Sequence, residues 1–508
     1  MKIKSIIFTA LVAVLGTSCT ESFLDINTNP NSLPTASPSF VFTNALNTAA
    51  ANMVSPNEIG SYWSGQWTQS NGYIISTTTF AYNFTNGDFN YWDGYYDNLN
   101  DYQFVIDNAD SYNQKYLSGP SKIMKSLLYQ QLVDMYGSIP YSDALKGVAS
   151  LAPKFDDQKA VYEDLIKTLD EAIVETKANS FASSFANADL IFKGNTTKWV
   201  KFANGLKMRI LMRQAKVNGK DSYIKSEINK IVSEGSGFLS AEEVAAGGNG
   251  FFLATAGKLN PVYDRWGYDA NGAKRALNNY PRLTQFLVNS MKASGDTLRL
   301  KRIGYAIGGE SATPGVSAKS EIASNYIGAP FGTSSGFLPA SCSAIGPSLL
   351  VKGEYNRPYI LMTAAEVLLN LAKAKERYGS DVNLTGTAQE YFQEGIKQSY
   401  RALGASSAES ANFIGSGVQN YDYTATSNKL EAIAIQKWLA LCNFNGLDAW
   451  CEYRKTGLPQ TPQSIQVPDN KRPVRFFYPN TESGSNAENV SAQGTIDIFA
   501  TRLFWDVD

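Results

Sequence analysis

Two stretches of this chain place aromatic rings beside amide, carboxylate and guanidinium groups. The first is "SGQWTQSNGYIISTTTFAYNF", with Trp67, Gln69, Asn71, Tyr73 and Tyr82. The second is "NPVYDRWGYDANG", with Tyr263, Arg265, Trp266, Tyr268 and Asp269. A shorter stretch, "NYIGAPFG", carries Tyr326 and Phe331. A ring can cover the apolar C–H face of a pyranose while its polar neighbours bind a rim of hydroxyls. Gly and Asn punctuate these stretches and put them on loops, where a rigid scaffold displays binding groups. The chemistry would be reversible capture of a sugar or a peptide. Any one of these rings also suits the core, so only those left exposed can serve.

Covalent chemistry is narrowly bounded. The 508 residues contain no His. A Ser-His-Asp triad, a Cys-His pair and an HExxH zinc site are therefore excluded. "YWDGYYDN" offers Asp93 and Asp97 on one helix face, the start of a carboxylate-based glycoside hydrolase. Such hydrolysis needs carboxyls on opposite sides of the scissile bond, usually from different elements. Two on one helix are expected to solvate it, and no enzyme activity is expected. "GNGFFLATAGK" fails as a phosphate loop, because six residues separate Gly250 from Gly257 and Leu259 follows the Lys. No metal site is assigned: the Asp and Asn residues in the loops could hold Ca²⁺, but no 12-residue EF-hand pattern is present, and no cofactor is expected. A net charge of −1 without a long basic tract argues against nucleic acid.

The start of the chain reads as an address. Lys2 and Lys4 precede an apolar run from Ile6 to Leu15, too short to span a bilayer. Gly16, Thr17 and Ser18 then lead to Cys19, in a pattern that resembles a bacterial lipobox with its Leu displaced by one position. Residues 1–18 are expected to be a signal peptide, Cys19 a lipidation site, and residues 19–38 a Pro- and Asn-rich tether. Three cysteines remain, Cys342, Cys442 and Cys451, an odd number in apolar settings, so no disulfide framework is expected.

The elements that would hold the loops are helical. Apolar residues recur at helical spacing after Phe40, with Ile59, Trp63 and Trp67 continuing the series. Further helices are expected in "FNYWDGYYDNLNDYQFVIDNAD", in "SKIMKSLLYQQLVDMYG" and in "DDQKAVYEDLIKTLDEAIVETKA". Another is expected in "NTTKWVKFANGLKMRILMRQAK", with its N-cap at Asn195 or Thr196. Residues 236–350 are loop-rich, with one helix near Pro281 to Ala293; helices return in three segments before a strand-like tail from Leu458. Small and large apolar residues interleave in paired helices, as in tetratricopeptide units, without a strict 34-residue repeat.

"LVDMYGSIPYSDAL", "IFKGNTTKWVKFANGLKMRILMR", "MTAAEVLLNLAKAKERYG" and "LEAIAIQKWLALCNFNGLDAWCEYRKTGLP" occur in this order, and the chain ends in "TRLFWDVD". Together they resemble the SusD/RagB family of nutrient-binding outer-membrane lipoproteins of Bacteroidetes. The similarity is closest to the branch with a QKW…NGxEAW…RxTGxP signature, in which Asp448 here replaces Glu. The resemblance implies a mainly α fold: about four tetratricopeptide-like helix pairs with additional helices, in one domain over 39–508 that carries the loop-rich insert. It also implies a role without catalysis. The protein would be a surface lid that captures an oligosaccharide, or in some members a peptide, for a SusC-like TonB-dependent transporter. The signature residues Trp438, Trp450, Arg454 and Lys455 are expected to be structural. The stretch around Trp266 is the favoured ligand site, and the stretch around Tyr73 suits a ligand or the transporter equally.

Overall fold

The computed structural model describes residues 36–247, 251–309, 318–411, 416–469 and 471–507. The expected signal peptide, Cys19 and most of the tether lie outside these residues. Helix α1 (Pro38–Trp63) begins at the end of the expected tether, with Pro at its first position, where no intrahelical N–H bond is lost. It is followed by α2 (Trp92–Asn108), α3 (Ser118–Tyr136), α4 (Gln158–Ala178), α5 (Thr196–Arg213) and α6 (Asp221–Glu234). After the insert come α9 (Ala364–Tyr378), α10 (Ala388–Ala402), α11 (Lys429–Leu441) and α12 (Gly446–Thr456). Three of their starts are capped: Asn195, the expected N-cap, accepts from Lys198 N–H, Asp157 accepts from Lys159 and Ala160 N–H, and Thr387 forms a capping box with Glu390.

Consecutive helices pack as pairs: α1/α2, α3/α4, α5/α6, α9/α10 and α11/α12. The pairs also contact one another, through α2 on α3, α4 on α5, α5 on α9 and α9 on α11. This is the tetratricopeptide-like scaffold that the sequence predicts. Helix α12 returns to pack on α1, where Gly60 faces Gly446. A Cβ on Gly446 would lie 2.1 Å from the Asn57 carbonyl oxygen, so only Gly permits this approach.

The signature residues form a buried polar seam through these helices. Arg209 on α5 holds Glu366 on α9 by two bonds of 2.6 and 2.8 Å and reaches Asp448 on α12 at 3.2 Å. Arg213 bridges Asp448 and Asp134, the latter at 3.1 Å. Glu452 takes Lys373, Lys437 and Lys455 at 3.1, 3.2 and 2.6 Å. The Arg454 guanidinium lies 3.6 Å from the Trp450 ring centroid and donates to the Asp134 and Val474 carbonyls. Fully buried ions persist only when paired and bonded in this way. The structural reading of Trp438, Trp450, Arg454 and Lys455 therefore agrees with their environment.

Between α3 and α4 two short strands, β2 (Ile139–Pro140) and β3 (Phe155–Asp156), pair antiparallel. The insert leaves after α6 and returns at β6 (Tyr359–Met362), which pairs with β4 (Val244–Ala246). It contains two helices where the sequence suggested one: α7 (Gln285–Ala293) and α8 (Thr297–Ile303). Pro281–Leu283 is not helical; as β5 it pairs antiparallel with β1 (Trp67–Gln69). Trp67 thus leaves the helical series of Ile59 and Trp63. Helix α1 stops at Trp63, and Gly65 turns the chain at φ +75°. The insert is locked to the scaffold by Arg299 of α8, which is fully buried, bonds Asp296 at 2.5 Å and donates to Gln436 on α11 at 3.0 Å. The tail beyond Leu458 is not strand-like: among its described residues it forms two short helices, Asn480–Ser485 and Ala487–Ser491. The free thiols of Cys342, Cys442 and Cys451 are all buried.

Candidate ligand-binding face

The stretch around Trp266 folds as one π-helical turn, Tyr263–Gly267. The Asn260 side chain starts it by accepting from the N–H groups of Val262 and Tyr263 at 2.8 and 3.1 Å. The turn seats Trp266 inward, edge-on to Trp67 with centroids 5.5 Å apart, and Arg265 bonds Glu58 of α1 at 2.5 and 3.0 Å. Burial pushes the Glu58 carboxyl up, and Arg265 only partly offsets this. Glu58, Trp67, Trp266 and Asn443 line a pocket of about 60 Å³. Such a space suits water and is too small for a sugar ring.

Six of the rings singled out in the sequence are therefore core. Trp67, Tyr82, Tyr263, Trp266, Tyr326 and Phe331 are each at most 5% exposed and cannot offer a stacking face. Their polar groups turn inward too. Trp67 donates to Asn443 at 3.0 Å, Tyr326 to the Ser320 carbonyl at 2.9 Å, and Tyr263 accepts from Gly353 N–H at 3.0 Å. Gln69 is also buried, in β1. Asn71 staples its loop by donating to the Thr333 carbonyl and accepting from Phe337 N–H. Asp269 closes its own turn by accepting from Asn271 and Ala273 N–H. Tyr268 is half-buried, with its ring centroid 5.8 Å from that of Tyr263.

Tyr73 is the ring that reaches solvent, at 38% exposure. Its hydroxyl donates to the Ala276 carbonyl at 2.6 Å, and its ring lies 5.7 Å from that of half-buried Tyr280. These contacts hold the loop after β1 against the short turn Ala276–Asn279, which exposes Leu277. A groove of about 620 Å³ on one side is lined by Ala51 and Ser55 of α1, Asp264, Arg265, Arg275 and Leu277. A second, of about 430 Å³, is lined by Lys274, Asn279, Arg282, Tyr305 and Pro339. Arg275 pairs with Asp264, and Lys274 reaches Asn279 at 3.5 Å. Burial pushes the Tyr280 hydroxyl up to about 12, so it remains a neutral donor at physiological pH. Through Ala276, Tyr73 thus borders the groove that Arg265 lines, while six of the other rings are buried. Sequence reasoning missed Tyr280, Leu277, Arg275 and Asn279. "RALNNYP" could have revealed them, because Asn-Asn before Tyr-Pro marks a turn that displays a ring.

The comparisons with known proteins agree with this architecture. Residues 30–479 match the model of the SusD-like family described as "Starch-binding associating with outer membrane". The chain belongs to that family. No protein in the curated set matches it. Among solved structures, this SusD-like chain is similar to a chitin-binding SusD homologue from Flavobacterium johnsoniae, with 22% identity and a TM-score of 0.71 over 92% of this chain and 99% of that one. A SusD homologue from Bacteroides fragilis gives 22% identity and 0.72 over 93% and 99%. One from Bacteroides uniformis gives 24% and 0.70 over 92% and 99%. These likenesses establish the SusD-like fold. Among the described residues no helix is long and apolar enough to cross a membrane.

Proposed function

We propose that this protein is a surface nutrient-binding lipoprotein that captures an oligosaccharide and delivers it to a SusC-like TonB-dependent transporter. The family match over residues 30–479 carries the reading. The chitin-binding homologue with the same fold supports a glycan as the ligand class, ahead of a peptide. The exposed Tyr73, backed by Tyr280 and flanked by Asn279, Lys274 and Arg275, supplies a ring and hydroxyl-binding groups on a braced loop. In this reading residues 1–18 are a signal peptide and Cys19 carries the lipid that retains the protein at the outer membrane.

The hydrolase alternative finds little support. Asp93 and Asp97 are exposed on α2, and Asp93 is engaged with Thr481 and Asn90 at 2.9 and 2.8 Å. Neither lines the grooves beside Tyr73. The deciding experiment incubates the soluble chain from Thr20 with mixed oligosaccharides and peptides and analyses bound and free fractions by mass spectrometry. Intact retained glycan is the expected result; cleaved products with turnover would overturn the binding reading. Changing Cys19 to Ala is expected to move the protein out of the membrane fraction.

A further inference from the structure

Helix α1 carries no charged residue from Pro38 to Asn57; the first is Glu58. Phe40, Asn44 and Ala51 are exposed and Asn47 and Ser55 half-buried, at spacings that stack these five on one face. The N-terminal part of this face opens into a groove of about 670 Å³. Phe40, Asn44, Asn47, Gln114, Asn187 and Phe251 line it, and none of its lining residues is Asp, Glu, Lys or Arg. Phe40 is 70% exposed, a large ring left in water at the groove's edge. Asn44, Asn47 and Asn187 have no hydrogen-bond partner among the described residues. Gln114 and Thr43 are instead fixed, Gln114 by Ser37 and Ser39 and Thr43 by the Ala188 carbonyl, so the wall behind the amides is rigid.

An exposed ring beside free amides, without a formal charge, selects for a neutral polyol. An ionic ligand would find no counter-charge there. One turn further along the same face, Ala51 and Ser55 line the groove that runs to Leu277, which neighbours Tyr73's partner Ala276; the charges in that groove are paired, Arg265 with Glu58 and Arg275 with Asp264. We infer that the uncharged face of α1 is a second glycan-binding surface, continuous with the Tyr73 face, along which a longer neutral oligosaccharide lies. From Phe40 to Ser55 the track is about 22 Å long at roughly 1.5 Å per residue. It holds several sugar units beyond those held at Tyr73. The inference rests on the reading of this protein as a carbohydrate binder.

The test is calorimetry on the soluble chain with two graded series of neutral oligosaccharides, maltose to maltoheptaose and chitobiose to chitohexaose. The double variant Asn44→Ala/Asn47→Ala and the variants Phe40→Ala and Tyr73→Ala are measured beside the wild type. In the wild type, affinity should rise with chain length in the series that binds. Asn44→Ala/Asn47→Ala should keep the affinity for the shortest ligand and lose about tenfold for the longest, the scale of two modest hydrogen bonds. Phe40→Ala should act in the same way, whereas Tyr73→Ala should weaken every length. If the longest ligand binds the double variant as tightly as the wild type, the track is refuted and the Tyr73 face stands alone. If neither series binds the wild type, the carbohydrate reading fails and the track fails with it. All these side chains are at least partly exposed, and equal melting temperatures would establish that the variants fold.

Discussion

Substituting Tyr73 and Trp266 should have opposite consequences. Tyr73→Ala removes a ring that is 38% exposed and is expected to weaken glycan binding about tenfold with little change in melting temperature. Trp266→Ala empties a site that is 2% exposed and should cost about 3–5 kcal/mol in urea denaturation. A stable Trp266→Ala protein would contradict its placement in the core. The sequence showed a cluster of rings and amides but not which ring faces water. That choice is made by contacts far along the chain, such as Trp67 on Trp266 and on Asn443, which periodicity does not encode. Titration at the residue scale has two opposing parts. The Glu58 carboxyl is raised by burial, so its contribution favours the fold at acid pH and is lost as pH rises through its folded value. Burial would also raise Asp448 and Glu452. Arg209 and Arg213 around Asp448, and three lysines around Glu452, overcome this and hold both low. Their contribution is present above the usual carboxylate range and is lost as the pH falls below it. Stability should therefore fall as acid protonates Asp448 and Glu452, while Glu58 acts in the opposite sense. Glu58→Gln removes the opposing part and should make stability less favoured by acid; an unchanged pH profile would show that Glu58 does not contribute to it.

At the scale of elements, the paired helices were legible because their apolar spacing and caps are local. The N-cap at Asn195 and the irregular insert were expected from composition and turn signals alone. The extent of α1 and the pairing of β5 with β1 were not. Continuing the fourfold spacing into Trp67 ignored Gly65, whose positive φ ends the helix, and Pro281–Leu283 is extended because β1 offers it partners. Gly446 opens α12 after the break from α11 and also seats that helix on α1, a contact that the local sequence does not announce. Gly446→Ala should cost about 1–3 kcal/mol or more, since the clash includes the backbone of Asn57 and Ser61, which cannot rotate away as the Ser61 hydroxyl can. Within the seam, Asp448→Ala leaves two buried guanidinium groups short of a partner and should cost about 3–5 kcal/mol. A double variant that also replaces Arg213 with Met should recover part of this loss. Denaturation midpoints of the two variants would measure the recovery.

At the scale of the molecule, the insert is held as firmly as the scaffold that carries it. The larger hydrophobic core runs from Phe42 to Trp505 and takes in Trp266, Leu283 and Leu300 of the insert; a smaller cluster joins α9, α10 and α11 through Leu369, Phe392 and Ile433. Urea unfolding followed by tryptophan fluorescence and by far-ultraviolet circular dichroism should give coincident transitions; separate midpoints would show the insert unfolding alone. The larger groove beside Tyr73 depends on this unity, since its walls come from α1 on one side and from the insert on the other.

The seat of Gly446 on α1 also has a mechanical consequence. Because α12 closes on α1, the first and last long helices of the described chain resist force as one body. Tension applied at residue 36 would not peel α1 away and then unravel the pairs in sequence. It would have to break the backbone contact with α12 first. In a single-molecule pulling experiment the expected signature is one high-force rupture of the scaffold, in place of the staircase of small steps typical of open helical repeats.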